Sequence, residues 1–264
     1  MRYWGASSLM TTTFSTVEMM AVVAAREIRD REVVFAGTGL PILAAALAQQ
    51  THAPDCTIVF EAGGVAPKLR HLPMSVGDSR TLSGAAQAAG LFEIFTYVLQ
   101  GGRVDVGFLG GAQVDRYGNL NTTALGPDYR RPATRLPGSG GAADIAALAS
   151  RTVVIARHEK RRFPERVDYC TSPGWIRGGD SRARAGLPAG GPAAIITTLG
   201  VIRYRDGSHE PYLASVHPGA SIEKVRSETG FELDCDDAVE TLPPSAVELE
   251  ALRDSVDPER IFLR

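Results

Sequence analysis

The stretch from Val33 to Phe60 constrains this chain more than any other. Val33-Val34-Phe35-Ala36 is a short β-favouring run and Gly37-Thr38-Gly39 reads as a turn. Pro41 suits the first turn of a helix that reaches about Gln50. A second run, Thr57-Ile58-Val59-Phe60, comes next. Strand, turn, helix and strand in that order predict a parallel sheet with crossover helices.

Glu61 closes the second run and is followed by Ala62-Gly63-Gly64. A carboxylate therefore stands where a strand ends, beside backbone that carries no side chain. The carboxyl edge of an open α/β sheet is where ligands bind. From this segment alone, a Glu that merely caps a turn is the more frequent arrangement.

The pattern continues along the chain. Residues 16–30 read as an amphipathic helix with Ser15 or Thr16 as its cap, and residues 83–100 as a second long helix ended by Gly101-Gly102. Residues 104–109 and 152–156 read as buried strands, 131–137 as a loop, and 142–149 as a small Ala-rich helix. Beyond Pro173, Gly-rich loops separate strands at 193–199, 201–205 and 212–216, with helices at 221–228 and 245–255. No internal repeat or long linker divides the chain. The expectation is an unpatterned extension over residues 1–15, in which Met10 is an alternative start, and one α/β domain over 16–264. Its sheet is mostly parallel with flanking helices, and its C-terminal part is richer in β.

A net charge of -2 gives no electrostatic case for nucleic acid or an anionic membrane. Cys56, Cys170 and Cys235 are scattered without a CxxC, and none of the five histidines is paired at i, i+4. Neither a disulfide framework nor a metal site is expected. The apolar stretch 19–25 follows Glu18 and precedes Arg26-Glu27, which is not the layout of a secretory leader. A cytoplasmic protein is the expectation.

Two glycine motifs invite a nucleotide and fail. Gly37-Thr38-Gly39 follows a strand, but Ile42 occupies the place of the third glycine of a dinucleotide fingerprint. Gly138-Ser139-Gly140-Gly141 follows a Pro/Arg-rich loop rather than a strand. It still offers several unhindered N–H groups at a helix start, a ready anion site, although such a loop is more often only a turn. Gly111-Ala112-Gln113-Val114-Asp115 and Tyr117-Gly118-Asn119-Leu120-Asn121 alternate glycines and polar side chains at the mouth of a strand. Ligand contact and a plain hairpin on Gly118-Asn119 are both open there.

Taken together, the strings Gly37 to Pro41, Ala53-Pro54-Asp55, Ser75-Val76-Gly77-Asp78, Gly110 to Asn121, Gly138 to Gly141, His158 to Phe163 and Thr171-Ser172-Pro173-Gly174-Trp175 resemble the β subunit of a family I CoA-transferase, most of all the glutaconate CoA-transferase type. They run in family order from about Thr16 to Pro258.

The resemblance implies a CoA-transferase fold and a separate α subunit, with the active site between the two. It implies Glu61 as nucleophile, forming a γ-glutamyl-CoA thioester; here Ala62 stands where the family usually has a polar residue. CoA esters are then substrates, and no permanently bound cofactor is needed. Gly138, Ser139, Gly140 and Gly141 become oxyanion or CoA-binding candidates, with Gly111 and Gln113 beside them. Gln113 could instead satisfy backbone groups. Gly37 and Gly39 would let the chain approach the thioester.

Other activities stay open. A Glu can also be a general base toward water, so acyl-CoA hydrolysis, of the thioester or of a C–C bond, is the first alternative. A non-enzymatic acyl-CoA-binding or scaffold subunit is the second. Arg161 and Arg162 would suit phosphate, but a solvated basic turn beside Glu159 is as good an account. His158 and Trp175 would serve equally as packing residues.

Overall fold

The computed structural model describes residues 13–188 and 190–263. Residues 1–12, most of the expected N-terminal extension including Met10, lie outside the described residues.

The chain opens with α1 (Thr16–Arg26), whose start is fixed by Ser15. Its Oγ accepts from Glu18 N at 3.2 Å, and Glu18 Oε2 accepts from Ser15 N at 2.7 Å. This reciprocal cap contributes about 1 kcal/mol. Then β1 (Val33–Phe35), α2 (Leu40–Gln50) and β2 (Thr57–Val59) follow in the expected order. Strands β1 and β2 pair in parallel, Val34 opposite Ile58 and Phe35 opposite Val59.

From β2 the chain turns back into β3 (Gly64–Val65), which pairs antiparallel with β4 (Gln87–Ala88) at one sheet edge. Here the expected helix over 83–100 is corrected. Gly84 sits at φ +60°, and Ala86 and Ala89 donate to the carbonyls of Val65 and Gly63, so residues before Gly90 are held extended. Helix α3 begins only at Leu91 (Leu91–Glu93) and continues as a π-helix over Ile94–Gln100. Its widened turns are visible in the bonds from Gly101 N to Thr96 O and Arg103 N to Val98 O.

Strand β5 (Val106–Leu109) lies on the other side of β1 and is parallel to it. The short hairpins β6 (Gln113–Val114) with β7 (Leu120–Asn121), and β8 (Ala124–Leu125) with β9 (Thr134–Arg135), come next. The second of these takes up part of the expected 131–137 loop. Helix α4 (Ala142–Leu148) then leads into β10 (Arg151–Ala156), and the four-residue α5 (Ser181–Arg184) precedes β11 (Pro192–Thr197). Strands β12 (Gly200–Tyr204) and β13 (Pro211–Val216) form the antiparallel C-terminal part, followed by α6 (Ile222–Ser227), β14 (Val239–Glu240) and α7 (Ala246–Glu250).

The resulting ten-stranded sheet has the order β14-β13-β12-β11-β10-β5-β1-β2-β3-β4, parallel from β11 through β2. Alternate residues of these strands go to opposite faces, and both faces are buried. Val34, Ala36, Ile58 and Phe60 pack with α1 and α2. Phe35, Val59 and Leu109 pack on the other face with Ile94, Leu99 and Ile145 from α3 and α4. This is an α/β fold whose sheet is buried between two helical layers.

His158, just past β10, shows how the C-terminal part is tied down. Its ring stacks on Phe163 with centroids 4.6 Å apart and lies 2.9 Å from both Thr197 Oγ1 and Thr229 Oγ1. Burial pushes its pKa down from 6.5 to about 4. The unfolded chain therefore takes up this proton below about pH 6.5 while the fold resists until about pH 4. Stability is full above that window and falls as pH drops through it, by about 3 kcal/mol. Denaturant unfolding followed from pH 7 to pH 4 should show this loss, and His158→Gln should flatten the slope. His217, buried and also depressed, supplies part of what remains.

Candidate active site

Glu61 owes its place to a turn that only glycines allow. Gly63 N donates to Phe60 O at 3.0 Å, making Glu61 and Ala62 the two central residues of a β-turn. Gly63 has φ +117°, and a Cβ there would lie 1.8 Å from Ala89 O. A Cβ at Gly64 would lie 2.0 Å from Thr81 O. The neighbouring chain thus passes directly over the turn, with no room for a side chain.

The pleat phase then directs the carboxylate. Phe60 faces α1 and α2, so position 61 falls on the same side as Val59, toward α3 and α4. There Glu61 lines a cleft of about 420 Å³ with Leu91, Phe95, Thr96, Gln100, Gly140, Gly141, Asp144 and Leu148. The approach is close. A Cβ placed on Gly141 would stand 3.0 Å from Glu61 Oε2 and 2.4 Å from Phe95 Cζ.

Among the candidate residues, Glu61, Gly140 and Gly141 are brought together. Gly140 has φ +49° and Gly138 φ +100°, so the loop is shaped by left-handed glycines before α4 begins. Gly138 N donates to Thr122 O at 2.8 Å and is occupied. The N–H groups of Ser139, Gly140 and Gly141 have no partner among the described residues. Gly37 and Gly39 lie beyond the end of β1, beside the end of β2, with open space around both α-carbons. Gly39 needs its freedom, since φ is +82° where it caps α2. Because β2 and β5 flank β1 on opposite sides, this loop marks a topological switch point, the favoured ligand crevice of such sheets.

Gly111 and Gln113 stand apart from the cleft. Gln113 Oε1 accepts from Asn121 Nδ2 at 2.8 Å and from Asp168 N at 3.0 Å, while its Nε2 donates to Asp168 Oδ2 at 3.1 Å. Asp115 is buried and accepts from Tyr117 N, Asn119 N and Asn119 Nδ2. Burial raises its pKa, and those hydrogen bonds oppose the rise. Asn119 Oδ1 accepts in turn from Gly174 N at 2.9 Å. These polar residues therefore lock the β6–β7 hairpin onto the 171–176 segment.

Other residues have structural partners too. Arg161 pairs with Glu159 at 2.8 Å, as does Arg162 at 3.4 Å. Trp175 donates from Nε1 to Pro192 O at 2.9 Å and stacks on His209. Among the described residues, no group of three or more His, Cys, Asp or Glu could hold a metal ion, and no helix is long and apolar enough to cross a membrane.

The cleft's second wall was not visible in the sequence. Leu91, Phe95, Thr96 and Gln100 come from α3, whose π turns no propensity indicates. Arg182, only 3 % exposed, was missed as well. It donates to Ala146 O and Ala147 O at 2.9 Å, holding the C-terminal carbonyls of the helix that presents Gly141.

A glycine loop of free N–H groups pressed against a carboxylate at a sheet's carboxyl edge is an arrangement for acyl chemistry. The profile of the coenzyme A transferase family matches residues 17–228. The chain belongs to that family. It is 46 % identical to one of the subunits of the 3-oxoadipate CoA-transferase of Pseudomonas knackmussii, over 92 % of this chain and 93 % of that protein. It is 40 % identical to the corresponding subunit of the glutaconate CoA-transferase of Acidaminococcus fermentans, over 96 % of each. The crystal structure of the glutaconate enzyme from that species matches with a TM-score of 0.89 at 40 % identity, covering 96 % of this chain and 98 % of that one.

This CoA-transferase β subunit thus has the fold of its family, and its Glu61 cleft is the site to test first. Alanine at position 141 has an ordinary φ available, so its cost lies in the cleft. Gly141→Ala should displace Glu61 or Phe95 and lower transfer at least ~10²-fold. The melting temperature should move by only a few degrees. Turnover and thermal melts of the same preparation check both parts.

Proposed function

We propose that this β subunit acts with an α subunit to move CoA from an acyl-CoA to a carboxylic acid, with Glu61 as nucleophile. The observation that carries the proposal is the contact of Glu61 Oε2 with Gly141 at the carboxyl edge of the sheet. The Glu61 carboxylate attacks the acyl-CoA carbonyl carbon, the C–S bond breaks, and a mixed anhydride and CoA thiolate result. The thiolate attacks the Glu61 side-chain carbonyl, expelling the first acid and leaving a γ-glutamyl thioester. The acceptor carboxylate then attacks this thioester, and the same two steps run in reverse to give the new acyl-CoA.

Each tetrahedral intermediate carries an oxyanion beside Glu61. The free N–H groups of Gly140 and Gly141 are the donors for it, fixed before the charge develops. The open loop at Gly37 and Gly39 leaves a way for the CoA thiol to reach the strand ends.

Two observations support a separate α chain. The 3-oxoadipate and glutaconate CoA-transferase relatives are each named as one subunit of an enzyme. Leu91, Phe92 and Tyr97, on the helix that walls the cleft, are 61 %, 64 % and 65 % exposed, an apolar rim that suits a partner. The acids named for those relatives, 3-oxoadipate and glutaconate, are the first to test. The cleft lining from this chain includes Glu61 and Asp144 and no Lys or Arg. A second carboxylate on the acid would therefore have to be met by the α subunit.

The test uses the complex of this chain with its α subunit, given acetyl-CoA and either glutaconate or 3-oxoadipate. Loss of the thioester should require the acceptor acid. Glu61→Ala should lower that transfer by ~10⁴-fold or more in a complex that still assembles. Thioester loss at the same rate without acceptor would make the protein a hydrolase, and full transfer by Glu61→Ala would remove the nucleophile.

A further inference from the structure

Phe95 stands against the Glu61 site in a way that neither its residue type nor its place in the sequence suggests. Its ring edge and the Glu61 carboxylate press on one α-carbon: a Cβ at Gly141 would meet Phe95 Cζ at 2.4 Å, Phe95 Cε1 at 2.9 Å and Glu61 Oε2 at 3.0 Å. The hydrogen-bearing edge of an aromatic ring is the positive part of its quadrupole and suits a carboxylate neighbour. From beneath, the ring is held edge-on by Phe35, the last residue of β1, with centroids 5.7 Å apart at 61°.

The π-helix sets this geometry. Ile94 and Leu99 are both fully buried under it, and Thr96 Oγ1 donates to Phe92 O at 2.6 Å. Phe95 is thereby turned toward the glycine loop while Phe92 and Tyr97 stay outside. Leu91 and Leu148 extend the apolar surface on either side of the ring. The carboxylate thus has the glycine loop beside it and the Phe95 ring edge pressing on the same α-carbon, while Leu91, Thr96 and Gln100 complete the α3 side of the cleft.

We propose that Phe95 is a positioning residue that holds Glu61 against Gly140 and Gly141 and keeps water from the glutamyl thioester. The proposal rests on Glu61 being the nucleophile. An unguarded thioester would be lost to hydrolysis. The oxygen of water bonds to the Glu61 side-chain carbonyl carbon, the C–S bond breaks, one proton of water goes to the departing CoA sulfur, and the other is released as the carboxylate re-forms. Transfer and hydrolysis draw on the same intermediate, so their ratio reports the barrier to water directly.

The experiment uses the assembled complex with acetyl-CoA as donor and, as acceptor, whichever of glutaconate or 3-oxoadipate the wild type accepts. New acyl-CoA and free CoA are followed together. Phe95→Ala should raise the ratio of hydrolysis to transfer at least ~10-fold and lower kcat more than it raises KM for the acid. Phe95→Leu keeps hydrocarbon at the site and should fall between alanine and wild type. A packing role alone would reduce both outputs together and leave the ratio unchanged, and an unchanged ratio in Phe95→Ala overturns the proposal. If Phe95→Ala does not assemble, the same ratio in Phe95→Leu decides. A wild-type complex that forms no adduct on Glu61 would instead bring down the nucleophile itself and this role with it, a failure the unsubstituted protein reveals.

Discussion

A Cβ at position 63 would stand 1.8 Å from Ala89 O, and one at position 64 would stand 2.0 Å from Thr81 O. Chain passes over chain there too closely for any side chain, and the bonds from Gly63 N to Phe60 O, Phe60 N to Gly64 O and Ala89 N to Gly63 O hold the turn after β2 in place. The turn fixes Glu61, and the pleat of β2 decides which face of the sheet its carboxylate reaches. A third missing side chain, at Gly141, lets the carboxylate meet the loop before α4. The site is made by leaving atoms out at three places where backbone must come close.

The surrounding parts serve that contact. Arg182 donates to the carbonyls at the far end of α4 and so anchors the helix whose first turn carries Gly141. It does so buried, without a carboxylate partner among the described residues, and burial lowers its pKa. Five carbonyls from 146–188 take its N–H groups instead. On the other side, β1 delivers Phe35 to the underside of Phe95. The exposed hydrocarbon of Leu91, Phe92 and Tyr97 then lies at the rim, where a second subunit can close the cleft.

Much of this was legible in the residues. Unbroken apolar runs at 33–36 and 57–60 mark strands buried on both faces, and the glycines after Glu61 mark the turn. The region 83–90 was not legible. Its alanines favour a helix locally, yet β3 offers an edge to pair with, and Gly84 at φ +60° starts a separate path. For the polar residues around 113–121 the sequence left ligand contact and a hairpin both open, and the structure forms the hairpin. Gln113, Asp115, Asn119 and Asn121 are spaced as a ligand site would be, but each finds its partner inside the chain. Phe95 reads in the sequence only as one more apolar position of a helix, because its role depends on a π turn and on a loop 45 residues away in sequence, from 95 to 140.

The central claim is that Glu61 becomes covalently linked to CoA. The direct measurement is the mass of the Glu61 peptide after the assembled complex is incubated with acyl-CoA and no acceptor acid. A CoA adduct on that peptide, removed by hydroxylamine, is the predicted result. Free acid and CoA released with the Glu61 peptide unmodified throughout would contradict it.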